Sequence, residues 1–419
     1  MVRSIGNVQQ DAQVRAVASG ALANGDTVVV NADGTVSVVV ASGGGNPSVG
    51  SSAVFETASI ATTGATFDSN SNKVVITYQD LGNSGYGTAV VGTVSGTSIS
   101  FGTPTVFASA SVSYFDEATT FDSNSNKVVI AYRNPSDNDR GYAIVGTVSG
   151  TDISFGTAVR FETGITAYIG ATFDSNSNKV VIVFRDDSNS SYGKAIVGTV
   201  SGTSISYGAA ATYYAGTSSF NTATFDNNSN KVVIAYQRGS HGNCIVGTVS
   251  GTSISFGTTV QFDSSTGEMK PVFDSTNNKV VVAYNKSSAA KAVVGTVSGT
   301  DISFGTAVEF NATAASLAPV FDSDSNKVVI AYYNSGNSNY GEVIVGTVSG
   351  TDISFGSAVA LHNASTTQIA ATFDTNSNKV TIAYKDGGNS NYGTASVFLT
   401  DGTNLTSENF IGFADGAYA

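Results

Sequence analysis

Hydrophobic and polar positions in this chain fall into a short pattern that keeps returning. Residues 121–132 read FDSNSNKVVIAY, a polar run of Asp, Ser and Asn followed by an apolar run, and close variants occur six more times. The lysines at the junction are Lys73, Lys127, Lys179, Lys231, Lys279, Lys327 and Lys379, separated by 54, 52, 52, 48, 48 and 52 residues. A self-similar period of this size marks a repeat architecture, in which each copy is one supersecondary unit. Every repeat parses into four strands; in the second these are EATTFD, KVVIAY, YAIVGTVSG and TDISFGTAVRF. SNSN joins the first strand to the second, RNPSDNDRG the second to the third, and SGTD the third to the fourth. KVVI is apolar on both faces, as a strand pressed between neighbouring sheets must be. In the fourth strand Ile153, Phe155, Val159 and Phe161 share one parity, while Ser154, Gly156 and Arg160 take the other. A half-exposed outer strand alternates in this way.

Four antiparallel strands repeated seven times predict an all-β, seven-bladed β-propeller of four-stranded antiparallel blades. A stacked solenoid is the rival, but its rungs are shorter and its ends need caps. Residues 51–57, SSAVFET, copy the end of the fourth strand in GTAVRFET, whereas the last repeat loses the SISFGT wording. The N-terminal strand is therefore expected to complete the last blade and close the ring, sparing two open sheet edges. The predicted organisation is an N-terminal docking segment with a β-hairpin at 1–40, a flexible linker at 41–50, the propeller at 51–408 and a C-terminal extension at 409–419. The hairpin is GDTVVVNADGTVSVVV, and the wording after residue 408 reads as the start of a further segment.

Composition narrows the function classes. The 46 glycines and a charged fraction of 12% suit short strands and turns. A net charge of -12 argues against nucleic acid or an anionic membrane as partner. No apolar run is long enough to span a bilayer, and the first residues lack a secretion signal, so the expectation is a soluble chain made in a cytoplasm. Cys244 stands where sister repeats carry a small buried residue, and as the chain's 1 cysteine it has no disulfide partner within it.

Asp122, Asn124 and Asn126 occupy positions 1, 3 and 5 of what opens like an EF-hand calcium loop. Such a loop continues with Gly at position 6 and a bidentate Glu at 12. Here Lys127 stands at position 6, so DSNSN is read as a turn rather than a metal site. No metal and no cofactor are predicted.

Strand alternation places DSNSN and SGT at one end of the sheets, and the second-to-third loops with the repeat-to-repeat crossings at the other. The first set is nearly the same in every repeat; the second diverges, as in QDLGNSGYG, RDDSNSSYG and NKSSAAK. Loops on a rigid scaffold are where binding usually resides. A polar circle of Gln79, Arg133, Arg185, Gln237, Asn285, Tyr333 and Lys385 is expected at this end. Arg133 and Arg185 on adjacent repeats could together hold a carboxylate or phosphate, or be neutralised by Asp137, Asp139, Asp186 and Asp187. Arg140 belongs to the same loop as Asp137. Tyr114, Phe115, Tyr168, Tyr213 and Tyr214 in the crossings could stack on sugar rings, or plug the spaces between blades. The candidate ligand-binding residues are therefore Arg133, Arg185, Tyr114, Tyr168, Tyr213, Tyr214, Asp137, Arg140, Tyr333 and Lys385.

No catalytic constellation is read. His241 and His362 fall in different loops, with no metal-type spacing, and are expected to be exposed. The aspartate boxes of a sialidase have no match in a chain with 0 tryptophans. Asp116 and Glu117 are adjacent on a strand and so point to opposite sides, which is not an acid and base pair.

The alternation of FDSNSNKVVIAY, GTAVVGTVSGTSISFGT and NSNYGTA resembles the propeller repeats of virion proteins of tailed bacteriophages, over residues 50–400 or so. ALANGDTVVVNADGTVSVV and ENFIGFADGAYA resemble segments flanking such propellers. The resemblance implies a non-enzymatic structural component of the particle, such as a tail fibre, tail tip or capsid-surface protein. Residues 1–40 would dock to other virion proteins and the propeller would face outward, toward host surface polysaccharide. A free carbohydrate-binding propeller lectin is the alternative reading, with a glycan hydrolase more remote. A homo-oligomer is left open.

Overall fold

The structure, a computed structural model, describes residues 2–9, 12–18, 27–30, 35–38, 46–113, 118–287, 289–401 and 410–413. Among them there is no α-helix, and no helix long and apolar enough to cross a membrane. The chain divides into a terminal module, Met1–Ser48 with Asp401–Ala419, and a repeat module, Val49–Thr400.

The terminal module holds one five-stranded sheet in the order Val2–Gln9, Ala12–Ala18, Thr35–Val38, Thr27–Val30 and Phe410–Phe413. Thr27–Val30 and Thr35–Val38 form an antiparallel hairpin, with Val28 opposite Val38. Phe410–Phe413 pairs antiparallel with Thr27–Val30. Both ends of the chain thus share a sheet, where the sequence reading kept the C-terminal strand apart. The reason is a backbone edge that no side-chain pattern announces.

In the repeat module, the second repeat shows the frame. Thr119–Asp122, Lys127–Asn134 and Arg140–Ser149 pair antiparallel, with Asp122 opposite Lys127, Val129 opposite Val145 and Asn134 opposite Arg140. The fourth strand comes in two pieces: Asp152–Phe155 pairs with the end of the third strand, and Val159 and Arg160 pair with its beginning. The chain then runs straight on, because Val159–Asp174 is one strand whose second half pairs with Lys179–Asp186 of the next repeat. DSNSN and SGT therefore lie at one end of the strands, called here the turn end. RNPSDNDRG and the crossings lie at the other, the loop end.

The second strand is the core. Val128, Val129, Ile130 and Ala131 are all buried, although successive side chains leave opposite faces, so this strand meets apolar neighbours on both sides. An apolar fourth-strand side chain seals each seam, aromatic everywhere except at Leu361 of the sixth repeat. Phe107 packs on Tyr132 and Phe155 of the following repeat at 5.5 and 5.9 Å between ring centroids, and Phe161 on Phe184 and Tyr207 at 5.2 and 6.1 Å. The ring of Phe161 lies over Gly141, where an added Cβ would come within 2.4 Å of it, which explains the glycine of "GYA". A second seam runs along the backbone. A Cβ on Gly102 would lie 2.0 Å from the Thr151 carbonyl oxygen of the next repeat, and one on Gly156 equally close to that of Thr203. The "FGT" glycines are needed because two main chains touch there.

Residues from the N-terminal stretch fill these same roles for the seventh repeat. Ala53, Val54, Glu56 and Ser59 pair with Ala395, Thr394, Gly393 and Tyr392. The Gly50 N–H donates to the Val397 carbonyl at 2.8 Å, as Gly102 does to Val91 at 2.9 Å. Phe55 meets Tyr78 and Phe101 at 5.2 and 5.6 Å. The seventh repeat lacks SISFGT because residues 50–59 are its fourth strand. First-strand residues of all seven repeats, among them Ala65, Thr119, Ala171, Ala223, Pro271, Pro319 and Ala371, line one cavity of about 140 Å³.

Candidate functional site

The two ends of the strands are built from different chemistry. At the turn end the opening motif is a capped turn. Asp122 Oδ1 accepts from the backbone N–H groups of Asn124 and Ser125, each at 2.9 Å, and its Oδ2 accepts from the Ser125 hydroxyl at 2.8 Å. The first of these bonds recurs in all seven repeats, accepted by Asp68, Asp174, Asp226, Asp274, Asp322 and Asp374 as well. Asn126 sits in the left-handed region at φ 54°, as do Asn72, Asn178, Asn230, Asn278, Asn326 and Asn378. Asn tolerates that backbone better than most residues, and this is why it closes the motif. The carboxylate faces its own turn. Neighbouring turns also touch, since Asn378 Nδ2 donates to Asp324 Oδ1 at 3.0 Å.

The loop end is built on a common frame that carries divergent side chains. Asp80, Asn134 and Asn334 each cap a short 3-10 turn with the side-chain oxygen, and Asp186 and Asp386 accept from Ser188 and Gly388 in the equivalent loops. Two consecutive left-handed residues return the chain in five loops: Ser84–Gly85, Asn138–Asp139, Ser190–Ser191, Ser338–Asn339 and Ser390–Asn391. Part of the wording in these loops is thus turn chemistry, and the residues free to vary are fewer than the loop lengths suggest.

The two arginines do not converge on a common anion. Arg133 is held by Asp139 at 2.7 Å and Arg185 by Asp187 at 2.6 Å. Arg185 also donates to Ser219 Oγ at 3.4 Å, and its guanidinium lies 4.6 Å from the centre of the Tyr168 ring. Arg140 pairs with Asp137 at 2.8 Å and donates to the Thr163 carbonyl. The Tyr142 hydroxyl also donates to Asp137, and that bond, helped by the charge and hydrogen bond of Arg140, holds the Asp137 carboxyl below its usual range against the opposing desolvation. The same bond raises the Tyr142 hydroxyl.

Of the crossing aromatics, Tyr213 is buried and packs on Tyr236 and Phe256 at 5.2 and 5.8 Å. It occupies the position of Phe107 and Phe161 in the seams, so as a ligand contact it is corrected to a packing residue. Tyr214, half-buried, lies against Tyr236 with Arg238 over its ring at 5.3 Å. Tyr168 and Tyr333 are half-buried, and Lys385 holds a partly exposed place opposite Thr367. Tyr114, Phe115, Asp116 and Glu117 lie outside the described residues.

His362 is also corrected. It sits on the strand Val359–Asp374, with Nε2 2.9 Å from Asp386 Oδ1 and its ring 5.4 Å from that of Tyr384. It belongs to a set the sequence reading missed: in several seams the residue after the apolar side chain that seals the seam, Phe55, Phe161, Phe262 or Leu361, meets the next repeat at the loop end. Glu56 accepts from the Tyr78 hydroxyl at 2.9 Å, and Asp263 accepts from Tyr284 at 2.8 Å and from Lys286 at 2.7 Å. Burial opposes ionisation of Asp263, but the bonds from Lys286, Tyr284 and the Ser265 N–H outweigh it and hold its carboxyl below the usual value. His241 is exposed. Cys244 is buried where Ala89 and Ala143 stand in other repeats, and burial pushes its thiol up.

A second missed feature is a β-bulge six residues before the turn aspartate. Thr62, Tyr168, Phe220, Ser316 and Gln368 each take a left-handed backbone there, at φ 45–53°. The register of the first strand slips beside each, for example between Ala167 and Gly170. The only sequence signal is a break in strand parity inside a segment that otherwise reads as continuous.

No protein-family model matches the chain, and no curated protein matches it in sequence. Solved structures do resemble it. The intramolecular trans-sialidase from Ruminococcus gnavus is 10% identical with a TM-score of 0.52, over 85% of this chain and 98% of that one. The NanB sialidase of Streptococcus pneumoniae is 11% identical at 0.47, over 83% and 69%. The fungal lectin from Aleuria aurantia, a six-bladed β-propeller with fucose recognition, is 13% identical at 0.46, over 74% and 98%. At such identities the likeness is one of fold.

Proposed function

We propose that the repeat module is a seven-bladed β-propeller that recognises a saccharide through its loop end, and that the terminal module holds it on a bacteriophage particle. The ring is supported by three observations: seven four-stranded repeats, residues 50–59 acting as the fourth strand of the seventh, and a cavity bordered by first strands from every repeat. The observation that carries the recognition reading is the contrast between ends. One repeat pattern keeps the same bonded turn seven times, while its other end bears the half-buried aromatics and paired charges of Tyr168, Tyr214, Arg133 and Arg185. Aromatic rings beside fixed donors and acceptors suit a ligand with an apolar face and many hydroxyls.

The module is read as binding rather than cleaving. Among the described residues its loop-end carboxylates are engaged in structure, as with Asp80, Asp186 and Asp386 capping loops and Asp139 and Asp187 holding arginines. The virion location rests on the repeat wording, and the sharing of one sheet by both chain ends supports a separate docking module. The intact protein on a glycan array, with reducing-sugar release followed in parallel, tests the proposal. Saccharide binding without release is expected; no binding removes the recognition role, and release makes the protein a hydrolase. Detection of the chain in purified particles checks its location.

A further inference from the structure

The bulge residues form an inner circle at the loop end, and the circle is not even. Between the seventh and first repeats the Thr62 N–H donates to Gln368 Oε1 at 3.1 Å, and between the sixth and seventh the Ile369 N–H donates to Ser316 Oγ at 3.1 Å. In the fifth repeat the equivalent residue, Glu268, is 3.3 Å from Lys270. Those positions are closed by polar bonds. The third and fourth repeats differ, since Tyr168 and Phe220 stand side by side with ring centroids 5.3 Å apart and planes inclined by 58°. Both are half-buried, and both hold a left-handed backbone at φ 48° and 51°, which is uncommon for bulky residues. Strained positions of this kind gather where a side chain must be presented.

Polar groups frame the pair. Arg185 covers Tyr168 and is fixed by Asp187, which also accepts from the Ser191 hydroxyl at 3.0 Å. Next to Phe220, Asn221 is 2% exposed, yet neither its Oδ1 nor its Nδ2 finds a partner among the described residues. Four other repeats carry Ile169, Met269, Leu317 and Ile369 at the same place, so packing does not require an amide. The first repeat carries a buried Thr63 there, whose hydroxyl is likewise unpaired among the described residues. An unpaired buried amide is costly to leave so, and it marks the position where a ligand or ordered water supplies the missing bonds.

We propose that the seam between the third and fourth repeats holds one saccharide subsite, with Tyr168 and Phe220 as the platform for a neutral pyranose ring. Arg185, Asp187 and Ser219 supply hydrogen bonds at its rim. The ligand class follows from charge: the guanidinium is already compensated by Asp187, so no net positive charge remains to favour an acidic sugar. This inference deepens the recognition reading and rests on it.

The test is saturation-transfer NMR and calorimetric titration of the full-length protein with gluco-, manno- and galacto-configured neutral oligosaccharides and with oligouronates. Binding of a neutral oligosaccharide is expected, weakened at least tenfold by Phe220→Ala, and by Tyr168→Leu, which keeps bulk without a ring. Ser123→Ala at the turn end should keep the affinity, and Tyr168→Phe, which restores a ring, should recover what Tyr168→Leu loses. Thermal midpoints of each variant separate loss of the platform from loss of the fold, and Tyr168→Phe serves as the rescue if Tyr168→Leu unfolds. Equal affinity in folded Phe220→Ala and Tyr168→Leu would overturn the subsite and leave saccharide recognition standing elsewhere on the loop end. Tighter binding of oligouronates would overturn the ligand class. Silence of the wild-type protein toward every probe would overturn both.

Discussion

The turn end and the loop end of the repeats are made by the same four strands, yet sequence identity is spent on them differently. At the turn end nearly every letter has a structural duty within its own repeat or against the next. Asp122 caps, Asn126 takes the left-handed backbone, and Gly102 lets two main chains meet. These duties recur from seam to seam, the contact at Gly356 excepted, so the letters are nearly the same. At the loop end the frame needs a capping Asp or Asn and a pair of left-handed residues, and the rest is free. What fills the freedom differs from seam to seam: Glu56 with Tyr78, Glu162 with Lys194, Asp263 with Tyr284 and Lys286, His362 with Asp386. The difference teaches that repetition marks the shared scaffold, and departure from it marks what is individual to a seam.

The comparison can be broken most sharply at the glycine seam. Gly102→Ala forces a methyl to within 2.0 Å of a carbonyl oxygen, so backbone must move, whereas Gly356→Ala meets its nearest neighbour at 3.9 Å. Denaturant unfolding should show a loss above about 4 kcal/mol for the first, in the range reserved for steric failure, and within about 0.5 kcal/mol for the second. Equal losses would mean that main-chain contact is not what the repeated glycine serves. Phe55→Ala should cost about 3–5 kcal/mol, the usual figure for a buried phenylalanine. Its midpoint shift should match that of Phe107→Ala, because residues 50–59 stand in for the seventh fourth strand; a negligible shift would detach them from that role.

Asp122→Ala leaves two turn N–H groups without their acceptor and should cost about 1–3 kcal/mol. Calcium added to the wild-type protein should leave the unfolding midpoint where it was. A calcium-dependent rise lost in Asp122→Ala would restore the metal reading of DSNSN. At the loop end, acid provides a finer probe. The Asp263 carboxyl is held below its ordinary value when folded, so its contribution to stability is present above the unfolded pKa and is lost as pH falls through the folded one. The wild-type protein should therefore lose stability below about pH 4, and Asp263→Asn should flatten that part of the curve; an unchanged slope would exclude this seam as its source. Smallest of all, Leu81→Ser at an exposed loop position should fall within about 0.5 kcal/mol of wild type.

Much of the scaffold was legible. The order of strands in a repeat, the opposition of the two ends and the pairing of the N-terminal strand with the last repeat all follow from periodicity, since parity and spacing are properties of the chain itself. Parts of the site were not. Tyr213 and Tyr214 are neighbours in sequence, and only packing assigns one to the seam and leaves the other half-buried at the loop end. His362 reads as a loop residue until the crossing is seen to be a continuous strand that carries it to Asp386. The bulges at Tyr168 and Phe220 are invisible to a pattern of period two, because a bulge is a slip in that very period.

By itself, then, the sequence determined the repeat, its strands and its turns, because these depend on contacts between residues within a few dozen positions of one another. The tertiary structure alone decided which loop-end side chains meet. Arg185 and Ser219, Tyr168 and Phe220, Thr62 and Gln368 come from different repeats, and only the angle and register at which successive sheets pack bring such distant residues within reach.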